Sequence, residues 1–325
     1  MAFLFGKNVV GIIFLFLGNY ILPSSLFAQA WQYHSTSRFV IAYSASEKNL
    51  ATRVLAELQL QQEQLSQQLN FQPRRAITVY LCPTQAAFDR LTGGVIPHWG
   101  EAAADPVQWR IFLKSPRASA NKKLDWQTIK HELVHLTLGE IADPNRLPRW
   151  FNEGAAILLA GETDHVEPLA ISRAMTTNSL VTFDEIEALL SFPNAQAGLA
   201  YSESYHAVKF LVRRFDAEAI KKYAQTLALH PDSRAAFRTA FGEDLWDFEI
   251  AYFDHLRKNF RWYVLLDESL LWGGLILALV IAGYVATRWR NKKKKQEWED
   301  EAAEKSMDGD AMESDEPSTS PQNPN

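Results

Sequence analysis

The chain has 325 residues, a formal net charge of −5 and 47% aliphatic, aromatic and Cys residues, a composition that excludes wholesale disorder. A single cysteine excludes an internal disulfide framework and any CxxC zinc ribbon, and the mild net acidity gives no reason to expect nucleic acid. The charge is unevenly spread. Residues 296–325 hold ten Asp or Glu against one Lys, whereas 269–287 hold no charge at all.

Residues 1–30 have the three-part layout of a secretory signal peptide: Lys7, the apolar run Val9–Leu17, and Ala28 and Ala30 placed for cleavage before Trp31. An uncleaved anchor is the alternative. About 235 residues, 31–265, then remain for one extracytoplasmic domain. Within it, Arg38–Tyr43 reads as a strand and Glu47–Leu69 as an amphipathic helix. Ala76–Cys82 reads as a second strand, with Cys82 as a core residue, and Thr84 caps a short helix, Gln85–Leu91. Trp109–Leu113 is a third strand. The next helix, Trp126–Leu138, has Asp125 as N-cap and Gly139 as its stop. Pro148 opens a helix that runs to Gly161. Helical patterns follow at about 183–190, 203–215, 217–229, 232–240 and 243–260. Strands first and helices after indicate an α+β fold, an N-terminal sheet with helices followed by a mostly helical part.

Ser269–Thr287 is apolar on every side and long enough for a transmembrane helix. Arg288, Arg290 and Lys292–Lys295 follow at once, which places the C-terminus in the cytoplasm and residues 31–268 outside it. The same basic cluster in another setting would suggest nucleic acid, but here it abuts a spanning segment. Residues 288–325 read as a basic and then acidic disordered tail, itself a candidate recruiter of a cytoplasmic partner.

The chemistry lies in His131-Glu132-Leu133-Val134-His135, within the Trp126–Leu138 helix. Residues four apart share a helix face, so two imidazoles can reach one zinc ion while Glu132 stands beside it as a base. Catalytic zinc needs a further protein ligand, and Glu153 on the following helix is the candidate. Gly154, Ala155 and Ala156 allow that helix a close approach. A carboxylate behind a zinc histidine is expected, with Asp143, Asp164 and His165 as nearby polar residues and none of them singled out. Developing negative charge on a substrate needs a donor. Tyr201, Tyr205 and His206 are candidates, and Tyr201 is favoured as lying just ahead of its helix.

His131–His135 followed by Glu153 resembles the gluzincin metallopeptidases. The wider set Leu147–Ala156 and Tyr201–Tyr205, with Val79–Leu81, Phe88, Trp99 and Ile111–Leu113, is similar to the peptidase-MA-like family over about residues 38–260. The resemblance implies a zincin-like fold, zinc on His131, His135 and Glu153, Glu132 as catalytic base and a peptide or protein as substrate. By analogy with zincins, Trp109–Leu113 would be the edge strand that an extended peptide pairs with. Two departures stand out: Gly154-Ala155 is smaller than is usual after the ligand, and 99–105 (WGEAAAD) is poor in Gly. The competing reading is a non-catalytic envelope protein that keeps the fold as a binding or scaffold module. An intramembrane protease is disfavoured by Lys122, Lys123, Asp125 and Lys130 around the motif helix.

Overall fold

The computed structural model describes residues 30–313 apart from 99, 120–121, 164–165, 262 and 264–267. The signal-peptide stretch, Trp99, Asp164, His165 and the last residues of the tail therefore lie outside the described residues. Two compact units result, one from Met1–His165 with Phe183–Phe248 and one from Val166–Thr182 with Glu249–Asn325.

The first unit is built on a mixed sheet of β1 (Gln32–Ser35), β2 (Phe39–Tyr43), β3 (Ile77–Cys82), β4 (Ala102–Asp105) and β5 (Arg110–Lys114), in the order β1-β2-β3-β5-β4. The three inner strands are parallel, and both outer strands run antiparallel to their neighbours. Ile41, Val79, Ile111 and Ala104 stand in one row across four strands. The first three are fully buried, as β-branched residues on a covered face should be. Cys82 is buried too. Burial, and then the charge of Glu47, push its thiol up to about 12, so it stays a neutral core side chain.

Helix α1 (Lys48–Leu69) makes the crossover from β2 to β3, and α2 (Gln85–Thr92) follows β3. The Thr84 side chain caps α2 by accepting from the Ala87 N–H. Then come α3 (Trp126–Ile141) and α4 (Arg149–Ala160), with Asp125 capping α3 through the Gln127 N–H and Gly161 ending α4 at φ 74°. The unit closes with α6 (Phe183–Ile186), α7 (Asn194–Arg214), α8 (Ala219–Leu229), α9 (Ser233–Phe241) and the start of α10 (Leu245–Phe260). An aromatic cluster ties these helices together. Trp150 of α4 stacks on Phe183 at 4.2 Å, and Phe151 meets Tyr223 edge-on at 4.8 Å. The second unit holds α5 (Pro168–Thr177), the remainder of α10 and α11 (Glu268–Glu313). Among the described residues, one helical segment, Trp272–Glu301, is long and apolar enough to cross a membrane.

Several expectations need correction. The edge strand is β4, not Trp109–Leu113, because β5 is enclosed between β3 and β4. The tight β4–β5 turn explains this. Asp105 Oδ1 accepts from the Val107 and Gln108 N–H groups at 3.1 and 2.9 Å, and its other oxygen holds Arg110 at 2.7 Å. Gly139 does not stop α3, which continues to Ile141. Its function there is steric, since a Cβ would come within 3.0 Å of Pro106 and 3.2 Å of Pro144. Helix α7 starts at Asn194, so Tyr201 lies inside it and not ahead of it. Residues 288–313 continue α11 beyond the apolar stretch. Their composition is charged yet rich in helix formers, and the i,i+4 pairs Lys293–Glu297 and Lys295–Glu299 support it at 4.0 and 3.5 Å.

Candidate metal centre

The centre is assembled where α4 lies against α3 on one side and α7 on the other. Gly154 makes the α4–α7 approach achievable. A Cβ there would fall 2.1 Å from the Ser204 carbonyl oxygen and 2.7 Å from a Val208 methyl. The next residue back, Glu153, is thereby held at a fixed depth opposite α3.

His131 and His135 leave α3 one turn apart, with ring centroids at 4.8 Å. Glu153 Oε2 lies 3.6 Å from the Nε2 atom of each. These donor atoms all fall within 4.8 Å of one another. Two nitrogens bound tetrahedrally to zinc at about 2.0–2.1 Å are themselves separated by about 3.3 Å. The 3.6 Å from Glu153 Oε2 to each Nε2 is near the separation of two ligands on one such ion, and the three donor atoms, within 4.8 Å of one another, can close around it.

The far side of each imidazole is fixed as well. His131 Nδ1 is 2.8 Å from Glu162 Oε2, and His135 Nδ1 is 3.0 Å from Asn152 Oδ1. Both Nε2 atoms are thereby turned toward Glu153, the arrangement that outer partners impose on metal-binding histidines. Glu162 is itself steadied by α3, where Thr128 Oγ1 donates to its other oxygen at 3.3 Å. The Gln127 amide donates to the Gly161 carbonyl at 3.0 Å, pinning the turn that carries it.

Electrostatics point the same way. Burial pulls His131 down, but its contacts with Glu153 and Glu162 more than reverse this and hold it well above the usual imidazole range. Burial, only partly offset by Glu153, leaves His135 below that range. Burial opposes ionisation of Glu153, yet His135, His131 and Arg149 hold it down at about 2. Three carboxyl groups, Glu132, Glu153 and Glu162, thus act together on His131, a concentration of negative charge that favours a cation at this point. The donor set suits a divalent, nitrogen-preferring ion.

Glu132 is 6% exposed. Burial first, then repulsion from Glu153 and Glu162, raise its carboxyl to about 7 against the pull of His131. Strand β4 packs against the motif helix, and the Ala104 backbone N–H acts on this carboxyl in the opposite sense, favouring its charged form. Tyr201 belongs to the same neighbourhood. Burial, then the charges of Glu153 and Glu132, keep its hydroxyl protonated well beyond the usual phenol range. Tyr205 is directed to its own helix, where its hydroxyl accepts from Lys209 Nζ at 3.1 Å.

The sequence pattern of the Peptidase MA superfamily matches residues 63–258. The chain belongs to that superfamily. Over 133 residues it is also 26% identical to the uncharacterized protein YhcO of Bacillus subtilis (strain 168). That match covers 40% of this chain and spans only 39% of YhcO. The matched region of the superfamily includes the whole of the cluster on α3 and α4 and Tyr201 on α7.

Two members of the site were not singled out from sequence, Glu162 and Asn152. Asn152 is the immediate neighbour of Glu153. Glu162 follows the glycine that ends α4, where the chain turns back toward the start of α3. Of the polar residues Asp143, Asp164 and His165 named beside the motifs, Asp143 caps the turn at 144–146, accepting from the Asn145 N–H at 3.0 Å.

Proposed function

We propose that the protein is a membrane-tethered zinc metallopeptidase that hydrolyses peptide bonds outside the cytoplasm. The observation that carries this reading is the convergence of His131, His135 and Glu153 within 4.8 Å, with Glu132 buried beside them. His131, His135 and Glu153 would hold the zinc. When bound, zinc supplies a Lewis acid for the substrate carbonyl and makes water acidic enough to lose a proton near neutrality.

The remaining steps belong to the chain's own side chains. Glu132 takes the proton of the attacking water and returns it to the departing amine, a duty suited to a carboxyl raised to about 7. An extended substrate adds along the outer edge of β4, which runs past Glu132. Tyr201, protonated throughout the neutral range, donates to the charge developing on the carbonyl oxygen.

Topology follows from the termini. Residues 1–30 act as the signal peptide and Ser269–Thr287 as the span, with Arg288–Lys295 on the cytoplasmic side. In support, Trp272, Leu275–Leu277 and Leu279–Ile281 are all exposed on α11, a surface suited to lipid. The test uses the full chain in detergent with zinc. Wild type is expected to bind one zinc and cleave members of a broad peptide library, and Glu132→Gln to keep the metal and lose cleavage. Zinc binding without cleavage by wild type would favour the binding or scaffold module, and absence of zinc binding would defeat both the metal and the mechanism.

A further inference from the structure

We propose that Arg149 is a substrate-recognition residue whose guanidinium receives a carboxylate group of the peptide, so that the protein selects substrates carrying a carboxylate within reach of the ligand cluster. The inference rests on the metallopeptidase reading above and adds the substrate class to it.

Arg149 opens α4 one turn before Glu153, on the same helix face. Its Nη1 lies 3.5 Å from Glu153 Oε1, too far for a charge-assisted hydrogen bond, which closes to about 2.7–2.9 Å. The opposite oxygen of Glu153 is the one shared by the two histidines. Arg149 Nε is buried with no hydrogen-bond partner. Its backbone N–H, not its side chain, donates to Glu187 Oε1 at 2.8 Å. The side chain is nevertheless 31% exposed, so an incoming group can reach it.

A guanidinium presents five N–H donors in a planar fork that matches a carboxylate bidentately. Folded proteins seldom leave a buried donor such as this Nε–H without an acceptor, whether protein, water or ligand. An arginine serving only to orient Glu153 would close on it, and this one does not. Its charge also reaches the reacting region, since it acts on Glu153, His135 and Tyr201 alike. A substrate carboxylate entering among Glu132, Glu153 and Glu162 needs a local cation to offset repulsion, and Arg149 is placed to be that cation. The carboxylate has two sources, the C-terminal α-carboxylate or an Asp or Glu side chain.

The experiment measures peptide binding to the zinc-loaded full chain carrying Glu132→Gln, in detergent, by fluorescence anisotropy. One arm compares labelled peptides without acidic side chains as free acids and as C-terminal amides. The other uses amidated peptides with a single Glu or Asp moved through the sequence. One arm is expected to show tighter binding of the carboxylate form by about tenfold or more, the yield of a charged hydrogen bond. A difference in the first arm assigns the terminal carboxylate, and one in the second assigns a side chain. Arg149→Gln added to this background should erase the difference while zinc content is retained, and Arg149→Lys should restore part of it. Equal binding of carboxylate and neutral forms overturns the proposal without any mutation. So does a preference that survives Arg149→Gln, or a loss of zinc in that variant, which would mark a supporting role for Glu153. Hydrolysis of the same peptides by wild type is followed in parallel. An Arg149-dependent preference without hydrolysis would leave recognition standing and remove the peptidase reading.

Discussion

Helix α3 and the 269–287 stretch of α11 are both rich in apolar residues, and they dispose of that property in opposite ways. In α3, Ile129, Leu133, Val134, Leu136 and Leu138 are buried within the protein, and so are Glu132 and His135. In α11, Trp272, Leu275–Leu277 and Leu279–Ile281 are exposed, and 269–287 contains no ionisable residue except Tyr284. The histidines on α3 are tolerated there because they meet specific partners: Glu162 and Glu153 for His131, Asn152 for His135. Lipid would offer such groups no partners, and the 269–287 stretch of α11 carries no charged residue that would need one. Apolar content alone therefore does not separate a core helix from a spanning one, whereas buried ionisable groups with fixed partners do.

The sharpest way to break this comparison is at Glu132. Glu132→Gln removes the proton acceptor but preserves shape, and peptide hydrolysis is expected to fall by about 10²–10⁴-fold in steady-state assays with zinc retained. A smaller effect is expected one layer out. Glu162→Gln and Asn152→Ala should each weaken zinc binding by about 10–100-fold in competition titrations with a chelator, because the imidazoles lose their outer anchors. Packing comes next. Gly154→Ala drives a methyl into the Ser204 carbonyl, and calorimetry should record a loss of about 1–3 kcal/mol, with α4 and α7 forced apart. The contrast is completed on α11. Leu279→Ala, at an exposed position, should leave the unfolding of the zinc-binding unit within about 0.5 kcal/mol of wild type.

Much of the site was legible because its signals are local. A His–His spacing of four defines a helix face wherever it occurs, and Asp125, Pro148 and Gly161 mark the ends of the two helices by local chemistry. What escaped depends on contacts distant in sequence. Strand β4 is Ala102-Ala103-Ala104-Asp105, three residues that favour helices, and it is extended only because β5 pairs with it and Asp105 closes the turn. Gly139 carries the same letter as a helix stop, yet it is required by Pro106 from the far end of that hairpin. Tyr201 falls just ahead of the helical pattern at 203–215, whereas the helix itself begins at Asn194 and takes Tyr201 in. Glu162 needed knowledge of where α4 ends relative to α3, which no window of sequence contains.

The central claim is that α3 and α4 together present two imidazoles and one carboxylate to a single zinc ion. X-ray absorption at the zinc edge of the metal-loaded full chain tests it most directly. The account predicts two imidazole nitrogens and carboxylate or water oxygen at about 2.0–2.1 Å, with one imidazole lost in His131→Ala. A zinc shell containing sulfur, or one unchanged by His131→Ala, would contradict it.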